Sequence, residues 1–555
     1  MLLGLYSALL FFASPSRAAG PPSVRLDKGV LIGASSDGIN AFLGVPFARP
    51  PVGDLRFRLP QAHPPYRGTL NATAFGSACL QQTSTIDVPS NINPLAAQFL
   101  QQRANAGPPP ADSEDCLTVN VFSPANATNH SKLPVLFWIF GGGFEGGTSA
   151  DYPGNVVVEQ SIALSEPVVF VSVNYRCVTT SLGFPGGKEV REAGIGNLGL
   201  HDQRLALRWV QKYIAAFGGD PTKVTIWGQS SGAISVSLQM LTNSGKTEGL
   251  FRAAFMQSGS PVPTGPLENG QNYFDRFATV AGCGHALGSK AVFDCLRKVP
   301  TETIRNATDA TPSTSSYESL SLAWLPREDG VFLEANPQTL IQQGSVARIP
   351  FVSGDVDDEA TLFSLTNSNI TTEEELVNYL SQYYVKGGKT TSTVQTILSL
   401  YPADPADGSP FDTGAENAIT PQYKRIAALL GDIVFQAPRR FFQASIGQAG
   451  EQKQWAYLSK RFKGTQLIGS YHQSDVSISF GGDLGAYLIH FAHTLNPSGA
   501  PNTTVAWPQY DVHAKNGAPA MLTLLDGPTA VVLGNDTYRK QQMEELVKAS
   551  MQFPL

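Results

Sequence analysis

The chain has 555 residues, 42% of them hydrophobic and 15% charged, with a formal net charge of −6 and a pI near 5.8. That composition supplies ample core material but no basic stripe to meet phosphates, which excludes nucleic acid and anionic membrane surfaces as electrostatic partners. With no long charged run, low-complexity tract or repeat of about 20–50 residues, residues 20–555 are expected to form one large globular unit.

The first residues, "MLLGLYSALLFFASPSRAAG", are apolar from Leu2 to Ala13 and then small. This pattern predicts a secretory signal peptide over residues 1–19, cleaved after Ala18 or Ala19. The apolar run is too short to span a bilayer comfortably, so no stable membrane anchor is expected and the mature chain belongs outside the cell. Seven N-x-S/T sequons, at Asn71, Asn126, Asn129, Asn306, Asn369, Asn502 and Asn535, are glycosylation candidates in such a compartment. Five cysteines, Cys79, Cys116, Cys177, Cys283 and Cys295, allow at most two disulfides and one leftover thiol. Cys177 lies just past the apolar "VVFVSVNY" and is expected as a buried thiol.

Leu133 to Phe140 reads as a fully apolar strand that runs straight into Gly141, Gly142 and Gly143. Glycines at a strand end let backbone N–H groups approach a ligand without side-chain obstruction. Farther on, "VTIWGQSSGAIS", Val224 to Ser235, reads as a strand end, a tight turn and the start of a buried helix. Such an elbow needs small residues two places before and two places after its central residue. Centred on Ser230, those places hold Gly228 and Gly232; centred on Ser231, they hold Gln229 and Ala233. Ser230 is therefore the candidate nucleophile, and the N–H groups of Gly142, Gly143 and Ser231 are the candidate oxyanion donors.

A serine nucleophile needs a base and an acid to orient it. The strand-like "IPFVS" runs into a turn with four carboxylates, Asp355, Asp357, Asp358 and Glu359, among which spacing does not choose. In an α/β-hydrolase the chain order serine, acid, histidine removes His63, His130 and His201. His285 follows Cys283 by two residues, His490 and His493 lie in the helix-like "LGAYLIHFAHTLNP", and His513 lies in a polar loop with no strand before it. His472, in the loop "GSYHQSDVSISFGG" after the strand-like "QWAYLSKRF", is favoured over His513. No cluster has metal-ligand spacing and no glycine-rich loop matches a nucleotide fingerprint, so neither metal nor cofactor is expected. The expected partner is a small-molecule ester, and the oligomeric state is left open.

With these elements in order, the sequence resembles the type-B carboxylesterase/lipase family, which includes the cholinesterases, and in particular its secreted fungal esterases and lipases. The matching blocks include "FLGVPFARPPVGDLRF" (Phe42–Phe57), "SEDCLTVNVF" (Ser113–Phe122), "WIFGGGFEGG" (Trp138–Gly147), "VNYR" (Val173–Arg176), "GNLGLHDQRLALRWVQKYIAAFGGDPTKVTIWGQSSG" (Gly196–Gly232) and "WPQYD" (Trp507–Asp511). The resemblance implies an α/β-hydrolase fold, with a large, mostly parallel central sheet flanked by helices. It makes Ser230 the nucleophile, selects Glu359 as the acid of a G-x-x-x-x-E turn beginning at Gly354, and places the base on His472, three residues after Gly469. It further implies disulfides Cys79–Cys116 and Cys283–Cys295, with Cys177 free, and an ion pair between Arg49 and Glu114. Three positions depart from the family pattern: Ala360 stands for glycine, Ser231 for alanine and Gln229 for glutamate.

The activity so implied is carboxylic ester hydrolysis through an acyl-enzyme. A non-catalytic binding ectodomain of the same family would lose the serine or its partners and carry a membrane segment, whereas all three positions are filled here. The loop between Cys79 and Cys116 would carry any lid, and its "INPLAAQFLQQ" offers Leu95, Phe99 and Leu100 as one short apolar helical face. An interfacial lipase wants a larger apolar lid, so small or modestly apolar esters are expected. Long-chain or sterol esters and feruloyl-type esters are the alternatives.

Overall fold

The computed structural model describes residues 20–83, 91–104, 111–152, 154–176, 180–386, 390–450, 452–514, 517–527 and 530–555. The expected signal peptide and Cys177 lie outside these residues.

The apolar runs of the sequence become the interior strands of an 11-stranded sheet. In chain order its strands are β1 (Ala34–Ser36), β2 (Ile39–Pro46), β3 (Thr118–Pro124), β4 (Leu133–Ile139), β5 (Val169–Val173), β6 (Gly219–Gln229), β7 (Ala253–Gln257), β8 (Phe351–Val356), β9 (Gln454–Ser459), β10 (Ala520–Leu524) and β11 (Val531–Asn535). Their order across the sheet is β11-β10-β9-β8-β7-β6-β4-β5-β3-β2-β1. From β10 through to β5 neighbouring strands are parallel, and the pairs at both margins are antiparallel. β5, β7, β8 and β9 are buried at every residue. Burial on both faces accounts for the near-continuous hydrophobicity of β4 (LPVLFWI) and β5 (VFVSV) in place of alternation.

Helices Ser231–Leu241 and Asp483–Thr494 pack against β4 and β6. At the centre, Trp138 on β4 and Trp227 on β6 are in register and meet edge-on with ring centroids 4.4 Å apart. Phe480 closes the cluster at 5.1 Å from Trp138 and 4.7 Å from Trp227. The crossovers of a parallel sheet put the C-terminal ends of its strands along one edge, where active sites of this architecture assemble. Gly141–Gly143 follow β4, Ser230 follows β6, Glu359 follows β8 and His472 lies beyond β9.

Cys79 is disulfide-bonded to Cys116 and Cys283 to Cys295, the pairing that the family resemblance implies. The first bond lies beside a two-stranded pairing of Ala78–Cys79 with Asp112–Ser113. Among the described residues no helix is long and apolar enough to cross a membrane. The side chains of Asn71, Asn126, Asn129, Asn306, Asn502 and Asn535 are exposed, and Asn369 is half-buried.

One expected contact is corrected. Glu114 pairs with Arg56, not with Arg49. Arg56 donates from Nε to Glu114 Oε2 at 2.8 Å and from Nη2 to Oε1. The remaining guanidinium nitrogen reaches the carbonyls of Leu296 at 2.8 Å and Val299 at 2.6 Å, and Thr301 Oγ1 donates to Glu114 Oε1 at 2.6 Å. Both charged side chains are buried, whereas Arg49 is exposed and donates its backbone N–H to Gln61. A buried bidentate pair with every nitrogen engaged tolerates desolvation; a surface arginine has no such need of a partner.

Glu114→Ala leaves the Arg56 guanidinium buried without its carboxylate. It is expected to lower the unfolding free energy by about 3–5 kcal/mol in urea titrations. Arg49→Ala is expected to change it by less than about 0.5 kcal/mol.

Candidate active site

Ser230 sits between the end of β6 and the helix Ser231–Leu241 with φ 56° and ψ −129°. Such a backbone costs on the order of 1–3 kcal/mol for a non-glycine residue and persists only where its surroundings over-determine it. Here they do. A Cβ on Gly232 would lie 2.0 Å from the Ile139 carbonyl oxygen, and one on Gly228 would lie 2.5 Å from the Gly232 backbone. The Ser230 N–H is held by the Gln257 carbonyl at 2.9 Å, and the Ser230 carbonyl accepts from Ile234 N–H at 2.9 Å. The spacing argument that chose Ser230 over Ser231 thus has its steric counterpart in this turn.

The glycine loop after β4 closes over the elbow. A Cβ on Gly141 would lie 2.8 Å from Ser230 Cβ, so the loop backbone touches the serine directly. Gly142 and Gly143 have positive φ, and the Gly142 carbonyl accepts from the N–H groups of Glu145 at 2.9 Å and Gly146 at 3.0 Å. Tyr175 OH donates to the Phe140 carbonyl at 2.8 Å and anchors the strand end from behind. Gly142, Gly143, Ser230 and Ser231 all line one cavity of about 380 Å³, and His472 lines it too.

His472 is buried, and its Nδ1 is 2.5 Å from Glu359 Oε2. The other carboxylate oxygen accepts from the Val356 N–H at 2.9 Å. A carboxylate on Nδ1 fixes the tautomer that carries its proton there and leaves Nε2 as the basic atom. Burial raises the Glu359 carboxyl well above the ordinary range; the Val356 N–H opposes this, and Asp475 and Asp358 add to it. Gln229 Nε2 stands 3.2 Å from His472 Nε2.

The three other carboxylates of the acid turn are engaged elsewhere. Asp355 accepts from Arg439 Nε at 2.7 Å, and burial holds its carboxyl at about 7 despite that guanidinium. Asp357 accepts from Lys463 at 2.5 Å. Asp358 accepts from Ser409 Oγ, Phe411 N–H, Ser470 N–H and Lys463. Of the rejected histidines, His490 meets Glu166 at 2.7 Å, His493 lies 3.2 Å from the Pro167 carbonyl, and His285 and His513 are exposed.

Several features escaped the sequence. The residues Asp432–Gln436 form a π-helical turn. Phe435 in this turn lies against the His472 ring, with centroids 4.6 Å apart, and Phe363 packs at 5.3 Å. Gln436 Nε2 donates to the Val356 carbonyl at 2.8 Å, so the same turn also holds the strand end that binds Glu359. A π-helical turn has no distinctive residue spacing, and nothing in the sequence marks it. Glu145 did carry a signal, as a lone carboxylate inside an apolar glycine loop. It is buried, its Oε2 accepts from Thr314 N–H at 2.7 Å, and burial pushes its carboxyl up to about 8.

The expected apolar face of the helix Pro94–Ala104 is only partly right. Ala96 and Leu100, one turn apart, are buried against Leu362, Leu365 and Tyr423, with Phe99 packed beside them. Leu95 is 41% exposed. Leu100 reaches the cavity wall.

The carboxylesterase family profile matches residues 20–542. The chain is 42% identical over 525 residues to Secreted lipase 1 of Botryotinia fuckeliana, covering 90% of this chain and 89% of that one. It is 39% identical over 525 residues to Lipase 4 of Diutina rugosa, covering 92% and 93%. The crystal structure of Aspergillus niger EstA superposes with a TM-score of 0.80 at 27% identity, over 96% of this chain and 99% of that one. The chain thus belongs to the carboxylesterase family, and it is a carboxylic ester hydrolase with the α/β-hydrolase fold.

Proposed function

We propose that the chain is a secreted esterase whose residues from 20 onward act as one catalytic unit, with Ser230, His472 and Glu359 as nucleophile, base and acid. The observation that carries this reading is the 2.5 Å contact of His472 with Glu359 beside the cavity that the strained Ser230 also lines. His472 Nε2 takes the Ser230 proton as Oγ bonds to the ester carbonyl carbon, and Glu359 stabilises the imidazolium. The N–H groups of Gly142, Gly143 and Ser231 receive the oxyanion, each contributing on the order of 3 kcal/mol. The carbon–oxygen bond to the alcohol then breaks, and His472 returns the proton to the departing oxygen. Water activated by the same imidazole adds to the acyl-enzyme, releasing the acid and restoring Ser230. Secretion is supported by the printed name of the Botryotinia relative and by the leading apolar segment.

For substrate, the reading is an ester with a short or medium acyl chain. Ile234, Leu362, Phe363, Val434 and Phe435 give the cavity an apolar lining, and its volume of about 380 Å³ lies toward the small end of ligand pockets. The second reading, a lipase for long chains, is favoured by the names of the relatives from Botryotinia and Diutina.

Initial rates on p-nitrophenyl esters from acetate to palmitate separate the two. The proposal expects an optimum between butanoate and octanoate and a loss of at least about 10⁴-fold in kcat for Ser230→Ala. A palmitate optimum selects the lipase reading, and an active Ser230→Ala removes the mechanism. Folding stability carries a separate signature. Since burial raises the Glu145 carboxyl from 4.5 to about 8, the folded chain keeps a proton that the unfolded chain releases. The corresponding stability is fully present below pH 4.5 and is lost as pH rises through about 8. Calorimetric midpoints of Glu145→Gln are therefore expected to fall less than those of wild type between about pH 5 and about pH 9.

A further inference from the structure

The imidazole of His472 has a neighbour that takes no part in the proposed triad. Glu359 meets its Nδ1, Phe435 and Phe363 lie against the ring, and Gln229 Nε2 stands 3.2 Å from its Nε2. Gln229 is the last residue of β6 and is fully buried. Its amide lies under the glycine loop, where a Cβ on Gly141 would come within 2.7 Å of both Gln229 Oε1 and the Gln229 carbonyl oxygen. The amide oxygen thus faces the loop and the amide nitrogen faces the imidazole. With the Nδ1 proton directed at Glu359, His472 Nε2 is an acceptor, and only an NH2 group complements it.

We propose that Gln229 is a positioning residue for the base: its amide donates to His472 Nε2 in the resting enzyme and favours the neutral imidazole that can take the Ser230 proton. A hydrogen bond to the neutral form of a group disfavours the charged form. A glutamate, which the family resemblance would put at this position, does the reverse. Its carboxylate only accepts, and its negative charge favours an imidazolium. The amide N–H must let go as the Ser230 proton arrives, so Gln229 acts on the pH range of hydrolysis more than on its maximal rate. Hydrolysis by this chain accordingly extends to more acid pH than a glutamate would allow. The other charged groups nearby are independent of this residue. Asp475 in the histidine loop interacts with the His472 charge and accepts from Tyr457 OH at 2.6 Å and Gln257 Nε2 at 3.1 Å. Asp358 is bound to Lys463, and Asp432 of the π-helical turn to Arg539.

The inference rests on His472 being the base, and its test keeps the two apart. The readout is kcat/KM for p-nitrophenyl butanoate against pH, followed at the isosbestic wavelength of the released phenol. Its acid limb reports the free enzyme. Circular dichroism checks the fold at each pH. Gln229→Met keeps the side-chain length and removes the donor, and its acid limb is expected about 0.4–1 pH unit above that of wild type. The carboxyl introduced by Gln229→Glu is expected to hold a proton against Nε2 and to raise the limb by at least about one unit. Gln229→Glu alters neither length nor branching, so it remains a test where Gln229→Met loses the fold. An acid limb that stays at the wild-type pH in either folded variant overturns the role of Gln229 and leaves the mechanism standing, and a plateau that falls without any shift marks a merely structural side chain. A His472→Gln variant with wild-type activity overturns the base and this inference together.

Discussion

The site depends on a contact between backbones. Where β6 turns into the helix Ser231–Leu241, Gly232 passes so close to the end of β4 that a single added carbon would collide with the Ile139 carbonyl. That approach holds Ser230 at positive φ and brings Gly141 against its Cβ. A side chain at Gly228, Gly232 or Gly141 would push apart the elements that assemble the site. The strain at Ser230 is sustained by the buried parallel strands beside it, β4 and β6 being joined by a hydrogen-bonded ladder with Trp138 packed against Trp227. Core and site are in this sense one construction: the sheet over-determines a backbone angle that serine would not otherwise adopt.

A second constraint is electrostatic. The acid turn puts four carboxylates into a largely buried region, and three of them are matched to Arg439, Lys463 or several hydrogen-bond donors. Glu359 has a backbone N–H on one oxygen and an imidazole on the other. Partner supply therefore sets Glu359 apart from the neighbouring carboxylates, which are held by cations. The π-helical turn contributes to both sides of that pair, through Phe435 on the imidazole and Gln436 on the Val356 carbonyl. π-helical turns recur at functional sites because the extra residue re-aims side chains that a regular helix would place elsewhere.

What could be read in the sequence was whatever leaves a local trace. The elbow is legible because its steric demand falls on residues two places from the serine, and the central strands because burial on both faces demands an unbroken apolar run. Long-range pairings leave no such trace. Glu114 takes Arg56 and not Arg49 because of how the chain around Leu296–Thr301 packs, information spread over some 240 residues. The disulfides and the choice of Glu359 came from family resemblance, since spacing alone left both open. Leu95 misled because one apolar residue on a short helix fixes no face; Ala96 and Leu100, four apart, do. The contact of Gln81 and Gln82 with the glycine loop went unnoticed because the two segments are distant in sequence and meet only in the fold, at Gly147 and Glu145.

The central claim is that Ser230, and not the adjacent Ser231, is the nucleophile. Titration of the purified protein with diethyl p-nitrophenyl phosphate, followed by peptide sequencing in the mass spectrometer, tests it most directly. The account predicts one diethylphosphoryl group per chain, carried on Ser230, with activity lost in proportion to its incorporation. Complete inactivation with Ser230 unmodified, or an adduct on Ser231, would contradict it.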